Sequence, residues 1–343
     1  MLTPDEAAGL LAGSDLIGLG MAADSLRRRL HPEGVVTYII DRNINYSNVC
    51  TSGCTFCAFW RPADHPEAYV LDGETLLAKI QETLDLGGTG ILMQGGLHPD
   101  LKIDWYEDLL RQVKRRFRIH LHCFSSPEIQ NIARVSGLSL GDTLARLRDA
   151  GLDSIPGGGA EILDDDVRQS ISRRKCSTAE WLEVHRVAHR LGMRTTATMM
   201  FGCGETLRQR VNHLEAVRRL QEETGGFTAF IPWTFQHRRT VLGQVLTEEV
   251  TAVDYLKTLA VSRLYLDNVE NVQASWVTQG LKICQVALGF GANDVGSIMI
   301  EENVVRATGV EHRATEEELR RIIRDAGFVP KQRDTLFRVL YLN

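Results

Sequence analysis

Apolar runs of strand length alternate along the chain with amphipathic stretches of helix length. The first run, VVTYIID at 35–41, and the second, GILMQGG at 90–96, are separated by the helix-like stretch GETLLAKIQETLDLGG. Six further runs follow, at 119–125, 151–159, 193–202, 227–233, 271–276 and 288–294. Parallel pairing is expected, because strands joined through helices lie side by side in the same direction. Eight such units predict an α/β fold, a (β/α)8 TIM-type barrel.

Helices are predicted at both ends of the chain. Two helical stretches precede the first strand. Near the other end, Thr315 and Glu318 have the spacing of a capping box, and the helix that they begin is expected to end near Gly327. We therefore predict one structural domain with three parts: an N-terminal helical segment at 1–34, the barrel at 35–310 and a C-terminal helical extension packed on it at 311–343.

Composition and charge restrict the class of protein. Of the 343 residues, 43% are apolar and 24% are charged, which is ordinary for a globular enzyme. The net charge of −5 and the lack of a long basic face give no electrostatic reason to expect nucleic acid as a partner. The N-terminus is acidic and no stretch approaches the roughly 18 apolar residues of a membrane span, so we expect no membrane partner and a cytoplasmic location.

In a TIM-type barrel the active site forms from the loops that follow the strands. Polar residues and glycines gather at six of these positions, in QGGLHPD, CFSSPE, PGGGAE, MFGCGE, IPWTFQ and GANDVG. Six polar strand ends on one rim favour a site there.

Seven cysteines, an odd number, in a chain without an export signal indicate reduced thiols rather than disulfides. Four of them are far apart in sequence, and we expect packed side chains at these positions: Cys123, Cys176, Cys203 and Cys284. The other three, Cys50, Cys54 and Cys57, fall within one short segment after the first strand.

Three thiolates at this spacing bind a soft metal, either zinc or an iron–sulfur cluster. Structural zinc almost always has four protein ligands, and only the lone His65 lies near in sequence. The missing fourth ligand favours a [4Fe–4S] cluster in which one iron keeps an open position for a ligand.

The spacing Cys-x-x-x-Cys-x-x-Cys after a first barrel strand, with Phe56 before the last cysteine, resembles the signature of the radical S-adenosylmethionine (radical SAM) enzymes. The resemblance implies a [4Fe–4S] cluster held by Cys50, Cys54 and Cys57, with SAM chelating the open iron through its amino and carboxylate groups. It also implies that an electron from the cluster cleaves SAM to give a 5′-deoxyadenosyl radical.

The same resemblance places SAM-contacting residues at the strand ends. The QGG turn at 94–96 matches the glycine-rich motif that offers backbone groups to the SAM amino group, since glycine allows close approach. The segment TMMFGCGE resembles the motif that packs an apolar residue, here Met200, near the SAM adenine and ends on a helix-start glutamate, here Glu205. The alternatives are core packing for Met200 and helix capping for Glu205. The cofactor-binding candidates are Phe56, Gly95, Gly96, Ser125, Glu128, Glu161 and Met200.

Longer stretches are similar to the cyclic dehypoxanthinyl futalosine synthases of the futalosine route to menaquinone. They include TYIIDRNINYSNVC, LMQGGLHPDLKIDWYEDLL, TGGFTAFIPWTFQ and QASWVTQG, and the likeness extends over residues 35–340. The resemblance implies that the radical removes the C4′ hydrogen of the ribose in dehypoxanthine futalosine. The carbon radical then attacks the benzoate ring, and loss of a proton and an electron completes a spiro bicycle. An electron donor such as flavodoxin or ferredoxin is also implied.

A site for this reaction must exclude water and hold C4′ near the radical carbon. Candidates for an aromatic wall are Phe59, Trp60, Trp233, Phe235 and Trp276, and candidates for binding the benzoate carboxylate are Arg61, Thr198 and Ser275. The proton-accepting base is open among Tyr46, His98, Asp294 and Glu302. The family commonly has a histidine where this chain has Cys203, so imidazole chemistry is not carried over to that position.

Other functions stay open at this point. Aminofutalosine synthase and the deazaflavin (FO) synthase subunits share the cysteine spacing, but the segments RNINYSNVC and PWTFQ favour the cyclase. A non-enzymatic iron–sulfur redox sensor or carrier is an alternative of another class, although a carrier gains from a cluster ligated fully by protein. A zinc-dependent barrel hydrolase would need histidine or carboxylate ligands at the strand ends.

Overall fold

The computed structural model describes residues 2–246 and 248–340. The chain opens with two helices, α1 (Pro4–Ala12) and α2 (Leu16–Leu30). Helix α1 begins at Thr3 with a capping box, because the Thr3 hydroxyl accepts from the Glu6 amide and the Glu6 carboxylate accepts from the Thr3 amide.

Within the described ranges, ten strands and ten further α-helices follow. The strands are β1 (Val35–Ile39), β2 (Asp41–Ile44), β3 (Gly90–Met93), β4 (His120–Cys123), β5 (Ser154–Ile155), β6 (Arg194–Phe201), β7 (Phe227–Thr234), β8 (Asn271–Val272), β9 (Asp294–Ser297) and β10 (Val329–Gln332). The helices are α3 (Gly73–Asp85), α4 (Ile103–Arg116), α5 (Ser126–Ser136), α6 (Leu140–Ala150), α7 (Asp165–Ile171), α8 (Thr178–Arg190), α9 (Leu207–Thr224), α10 (Ala252–Tyr265), α11 (Trp276–Ala287) and α12 (Glu316–Asp325).

The strands form a curled parallel sheet in chain order. Strands β2 to β8 make one seven-stranded sheet in which each strand pairs with the next, all parallel. Strand β1 runs into β2 through Ile40 and pairs in parallel with β9 and β10. A parallel bridge between Gln273 and Asp294 joins the far end of the large sheet to β9. The predicted α/β class and TIM-type barrel are confirmed, with helices packed around the curled sheet.

Two details near the end of the chain differ from prediction. The predicted strand at 288–294 starts only at Asp294, because residues 288–290 form a short 3-10 helix and Gly291 then takes a φ of 98°. Strand β10 had no sequence signal, since Pro330 argues against a strand interior. Proline is tolerated there because β10 is an edge strand, where a missing amide donor costs no sheet hydrogen bond.

The C-terminal helix confirms the predicted capping box. The Thr315 hydroxyl accepts from the Glu318 amide, and the Glu318 carboxylate accepts from the Thr315 amide at 2.8 Å. Among the described residues, no helix combines the length and the apolar character that crossing a membrane requires.

Because the strands are parallel, their C-terminal ends lie on one rim, where the loops after β2 to β9 meet. The opposite end is tied by the C-terminal segment. Arg333, directly after β10, makes a bidentate ion pair with Asp294 at 2.5 and 3.0 Å, and both side chains are buried. Thr37 of β1 also donates to Asp294, at 2.5 Å. This buried pair fixes the register of three strands.

Candidate active site

Three thiols lie on the loop that follows β2 at the rim. Cys54 is buried, whereas Cys50 and Cys57 are half-buried. Ser52 lies between the first two thiols: its amide donates to Cys50 Sγ at 3.4 Å, and its hydroxyl lies 3.0 Å from Cys54 Sγ. The Cys57 amide donates to the Cys54 carbonyl at 3.2 Å, which closes a turn. Burial raises the pKa of the Cys54 thiol to about 11, an effect that the Lys175 ammonium opposes.

The donor set fits a cluster better than a single ion. Within residues 2–246 and 248–340, no group of three His, Cys, Asp or Glu side chains is placed to hold one metal ion. In an iron–sulfur cube each thiolate binds a different iron, so the three sulfurs do not have to converge. Three soft donors on one loop therefore match a [4Fe–4S] cluster.

Arg61 clamps the end of the cysteine loop. One guanidinium nitrogen donates to the carbonyls of residues 58, 59 and 60 at 2.9 to 3.4 Å. Its Nε donates to Glu67 at 2.8 Å, and the Arg61 carbonyl accepts from the Cys50 amide at 2.9 Å. With its donors engaged in this way, Arg61 shapes the loop, and a carboxylate ligand would have to displace one of these partners.

The QGG turn after β3 lies directly against the cysteine loop. The Gly96 amide donates to the Ser47 carbonyl at 3.1 Å, and the Thr51 amide donates to the Leu97 carbonyl at 3.1 Å. An added Cβ at Gly96 would lie 2.1 Å from the Val49 carbonyl oxygen and 2.7 Å from Cys50 Cβ. Glycine is required here because the two backbones touch.

Glu128 joins three neighbouring strand ends. One carboxylate oxygen accepts from the Tyr46 hydroxyl at 2.7 Å and from the Gly95 amide at 2.8 Å. The other accepts from the amide and the hydroxyl of Ser125, at 2.8 and 2.5 Å, in the capping box that begins α5. Burial raises the pKa of Glu128. The Glu128 carboxylate and Ser125 therefore position the QGG turn and Tyr46.

One carboxylate oxygen of Glu161 makes no hydrogen bond within the described part of the chain. It follows β5 with a φ of 40°, and one of its oxygens accepts from Lys175 at 2.8 Å. The other oxygen is buried and has no hydrogen-bond partner, with Arg168 3.6 Å away. Lys175 lies over the Phe56 ring at 5.3 Å, which connects this ion pair to the cysteine loop.

Met200 lies near the end of β6, and Cys203 follows that strand; both side chains are buried. Met200 is 1% exposed, and its amide donates to the Glu161 carbonyl at 3.0 Å. The Cys203 thiol is buried and donates to Glu205 at 3.3 Å, and burial raises its pKa well above the ordinary value. Glu205 also accepts from the Gly202 amide at 2.8 Å and pairs with buried Arg210 at 2.8 Å. Cys203 is thus a protonated donor. Glu205 does not cap α9, whose N-cap is Thr206 in a capping box with Gln209; its carboxylate instead holds the turn after β6 against Arg210.

All four candidate bases are engaged in hydrogen bonds or ion pairs within the fold. The Tyr46 hydroxyl donates to Glu128, and burial raises its pKa well above the ordinary value. His98 accepts at Nδ1 from two backbone amides, at 3.1 and 3.3 Å, and burial lowers its pKa. Asp294 lies at the N-terminal end of β9, away from the rim, in the ion pair described above. Glu302 accepts from three backbone amides at 2.8 to 3.0 Å.

The predicted aromatic wall divides into two groups. Trp276 and Phe235 are 2% and 3% exposed, and Trp276 Nε1 donates to the Ser297 carbonyl at 3.0 Å, so these two belong to the core. The other three, Phe59, Trp60 and Trp233, are half-buried. Of the predicted carboxylate binders, Thr198 donates to the Gly157 carbonyl at 2.7 Å, and Ser275 lies 2.9 Å from the Thr278 hydroxyl.

A polar group at the ends of β7 and β8 was not singled out from the sequence. Gln279 donates to the Thr234 hydroxyl at 2.6 Å, and Gln236 donates to the same hydroxyl at 3.0 Å. Gly280 takes a non-helical φ of 74° and breaks α11 directly after Gln279. The glycine after a glutamine in WVTQG was the available signal, and these side chains add polar groups to the rim at the ends of β7 and β8.

Two solved structures share this fold. The structure of methylornithine synthase aligns with a TM-score of 0.74 over 96% of this chain and 94% of that chain, at 19% identity. The [FeFe]-hydrogenase maturase HydG from Carboxydothermus hydrogenoformans aligns with a TM-score of 0.76 over 98% of this chain and 77% of that chain, at 15% identity. At these identities the likeness shows the shared fold.

Relatives with known names are much more similar in sequence than these structures are. Cyclic dehypoxanthine futalosine synthase of Halalkalibacterium halodurans is 47% identical over 99% of this chain and 91% of that protein. The protein of the same name from Streptomyces coelicolor is 42% identical over 100% of this chain and 86% of that protein. The 5-amino-6-(D-ribitylamino)uracil–L-tyrosine 4-hydroxyphenyl transferase of Methanothermobacter thermautotrophicus is 43% identical over 98% of this chain and 94% of that protein.

Two family models together match most of the chain, from residue 44 onward. Residues 44–217 match the radical SAM superfamily, and residues 224–342 match the CofH/MqnC C-terminal region. The first match spans the cysteine loop, the QGG turn and Glu161. The chain therefore belongs to the radical SAM superfamily, whose cofactors are a [4Fe–4S] cluster and SAM.

Proposed function

We propose that this radical SAM enzyme cyclises dehypoxanthine futalosine to cyclic dehypoxanthinyl futalosine, a step of menaquinone biosynthesis. The supporting observation is the 47% identity over 99% of the chain to a protein of that name. When bound, the cluster and SAM supply a 5′-deoxyadenosyl radical that takes a hydrogen atom from the ribose. In the overall reaction the substrate loses two hydrogens, one to deoxyadenosine and one as a proton with its electron, and gains one carbon–carbon bond.

We propose Cys50, Cys54 and Cys57 as the cluster ligands, because their three thiols lie together on the first rim loop. Anaerobic reconstitution should give about four iron per chain, as expected for one cube, and replacing any one of the three cysteines by Ala should abolish it. Cys284→Ala is the matched control, since this thiol is buried in α11. Full iron in Cys50→Ala, or zinc as the native metal, would contradict the assignment.

The SAM site is proposed at the junction of the cysteine loop, the QGG turn and Glu161. One Glu161 oxygen supports this: its ion pair with Arg168 is long, at 3.6 Å, and a buried acceptor without a hydrogen bond is costly unless a ligand supplies a donor. Phe56, Gly95 and Gly96 border the same region, and Glu128 and Ser125 hold the turn in place. Met200 backs Glu161 from the core side.

Transfer of a 4-hydroxyphenyl group is the second candidate function, because the archaeal transferase is 43% identical over 98% of the chain. The two reactions give different products from one preparation of enzyme. The test is anaerobic incubation with SAM and dithionite, once with dehypoxanthine futalosine and once with L-tyrosine and 5-amino-6-(D-ribitylamino)uracil, followed by mass analysis. A product lighter than dehypoxanthine futalosine by two hydrogens supports cyclisation, whereas a joined product in the second incubation would replace the proposal.

A further inference from the structure

Two segments flank the exposed side of the cysteine loop. Thr55, between the second and third cysteines, donates through its amide and its hydroxyl to the Ile171 carbonyl at 2.9 and 3.0 Å. Its own carbonyl accepts from the Leu242 amide at 2.8 Å. The segment after α7 and the segment after β7 are therefore both fastened to the loop that carries the thiols.

Each of these segments carries two neighbouring arginines. Arg173 and Arg174 come two and three residues after Ile171, and Arg238 and Arg239 come just before Leu242. All four are exposed, and none makes an ion pair within the part of the chain that the structure describes. By contrast, their neighbour Lys175 is paired internally with Glu161.

The local charge contrasts with that of the whole chain. The net charge of the protein is −5, yet the arginines outnumber the two carboxylates of these segments, Glu248 and Glu249. Glu249 borders the same shallow hollow as Arg238 and Arg239. Unpaired cations concentrated on one site of an acidic protein attract an acidic partner and speed its encounter.

Apolar side chains lie among these cations. Val241 and Val245 flank the Leu242 turn and are 63% and 75% exposed. Exposed apolar residues surrounded by charge are typical of a protein contact, with a dry centre and a polar rim. A small anion would instead be held by buried, converging polar groups. The arginine surface is defined here by Arg173, Arg174, Arg238, Arg239, Val241 and Val245.

We propose that the arginine surface docks an acidic protein that carries one electron to the cluster, an inference that rests on the proposed cluster ligands. One electron passes from the reduced carrier to the cluster, so the carrier is oxidised and the cluster is reduced by one electron, with no bond made or broken. Docking at Thr55 places the carrier beside the thiol loop, and transient redox contacts of this kind are small and charge-guided.

Charge reversal tests the surface. Two double variants, Arg173→Glu/Arg174→Glu and Arg238→Glu/Arg239→Glu, are compared with Arg115→Glu/Arg116→Glu. The control makes the same charge change at the end of α4, on exposed residues that form no ion pair with any described residue. The first readout is direct binding of a purified bacterial flavodoxin at low and high salt. Binding should weaken on the order of 10-fold in each surface variant, should fall with salt in the unmodified enzyme, and should stay near normal in the control.

The second readout uses dithionite, a small reductant that needs no docking. Iron content and dithionite-driven deoxyadenosine formation should be unchanged in the surface variants, while flavodoxin-driven formation falls with binding. Unchanged flavodoxin binding, or an equal loss in the Arg115/Arg116 control, would overturn the docking surface. A raised KM for the substrate with dithionite would also overturn it and would assign the arginines to the substrate carboxylate. If dithionite yields no deoxyadenosine from the unmodified enzyme, the proposed function fails, while the binding readout still decides the docking.

Discussion

Gly96→Ala is expected to disrupt the cluster loop as well as SAM binding. From the sequence alone, bulk at this glycine would be expected to obstruct only SAM and to leave the cluster intact. The structure changes that expectation, because the new Cβ would lie 2.1 Å from the Val49 carbonyl oxygen and 2.7 Å from Cys50 Cβ. Carbon atoms pack favourably at about 3.5 to 4.0 Å, so backbone on one side must move by roughly 1 Å.

The size of the effect follows from that displacement. Overpacking of this kind costs about 1 to 3 kcal/mol, and here the strain falls on the residue that carries the first thiol. Misplacing a reacting group by about 1 Å lowers a rate on the order of 100-fold. We therefore expect reduced iron loading and about 100-fold less deoxyadenosine per chain in Gly96→Ala.

The assay combines iron analysis, deoxyadenosine formation under dithionite and urea unfolding on the same preparation. Gly9→Ala is the matched control, because nothing lies within 4 Å of the position of its added Cβ and Gly9 is inside α1. The control should be neutral or more stable by about 0.5 to 1 kcal/mol. Full iron and normal cleavage in Gly96→Ala would refute the close approach of the two loops.

Three further outcomes are expected. Arg333→Met should lower the free energy of unfolding in urea by about 3 to 5 kcal/mol, since it leaves Asp294 charged and unpaired in the interior, and a loss below about 1 kcal/mol would contradict the buried pair. Glu128→Gln should lower the free energy of unfolding by about 1 to 3 kcal/mol and raise the SAM concentration needed for half-maximal cleavage. Both Glu128 oxygens accept hydrogen bonds, so the NH2 group of the new glutamine would face a donor on whichever side it lies. Burial lowers the pKa of His213 to about 3, so the unfolded chain takes up the proton first as the pH falls below about 6.5, and stability present above that pH is lost below it. His213→Gln should make the fall in unfolding free energy between pH 6 and pH 4 shallower by about 1.4 kcal/mol per pH unit, and an unchanged slope would mean that this histidine is protonated in the fold.

Sequence periodicity predicted the alternation of strands and helices because it reflects burial, which neighbouring residues in the chain largely determine. It misplaced the last barrel strand, where Leu288 and Phe290 are apolar because they pack in the core as a 3-10 turn. It also missed β10, whose pairing with β1 depends on a contact between opposite ends of the chain. Long-range pairing of this kind leaves no local pattern.

For the site, the cysteine spacing was informative because one loop supplies all three thiols. The roles of the carboxylates were not readable, since each depends on which donors the fold brings to it. Glu128 and Asp294 look alike in sequence as strand-end acids, yet one joins three rim loops and the other ties the opposite end of the barrel. Such partners determine whether a carboxylate is free to accept a proton, and they come from segments that are distant in the sequence.

The two family matches divide the molecule into two parts that also differ in their chemistry. The match at 44–217 contains the thiols, the QGG turn and Glu161, and the match at 224–342 contains the strand ends with Gln236 and Gln279. Relatives of similar identity to this chain, 47% and 43%, are named for different reactions, one a synthase and the other a transferase. Residues that discriminate between two such substrates are therefore expected outside the thiol loop and the QGG turn, which the radical SAM match covers. Gln236 and Gln279 both donate to the Thr234 hydroxyl at the ends of β7 and β8, and we expect this polar group to contribute to that discrimination.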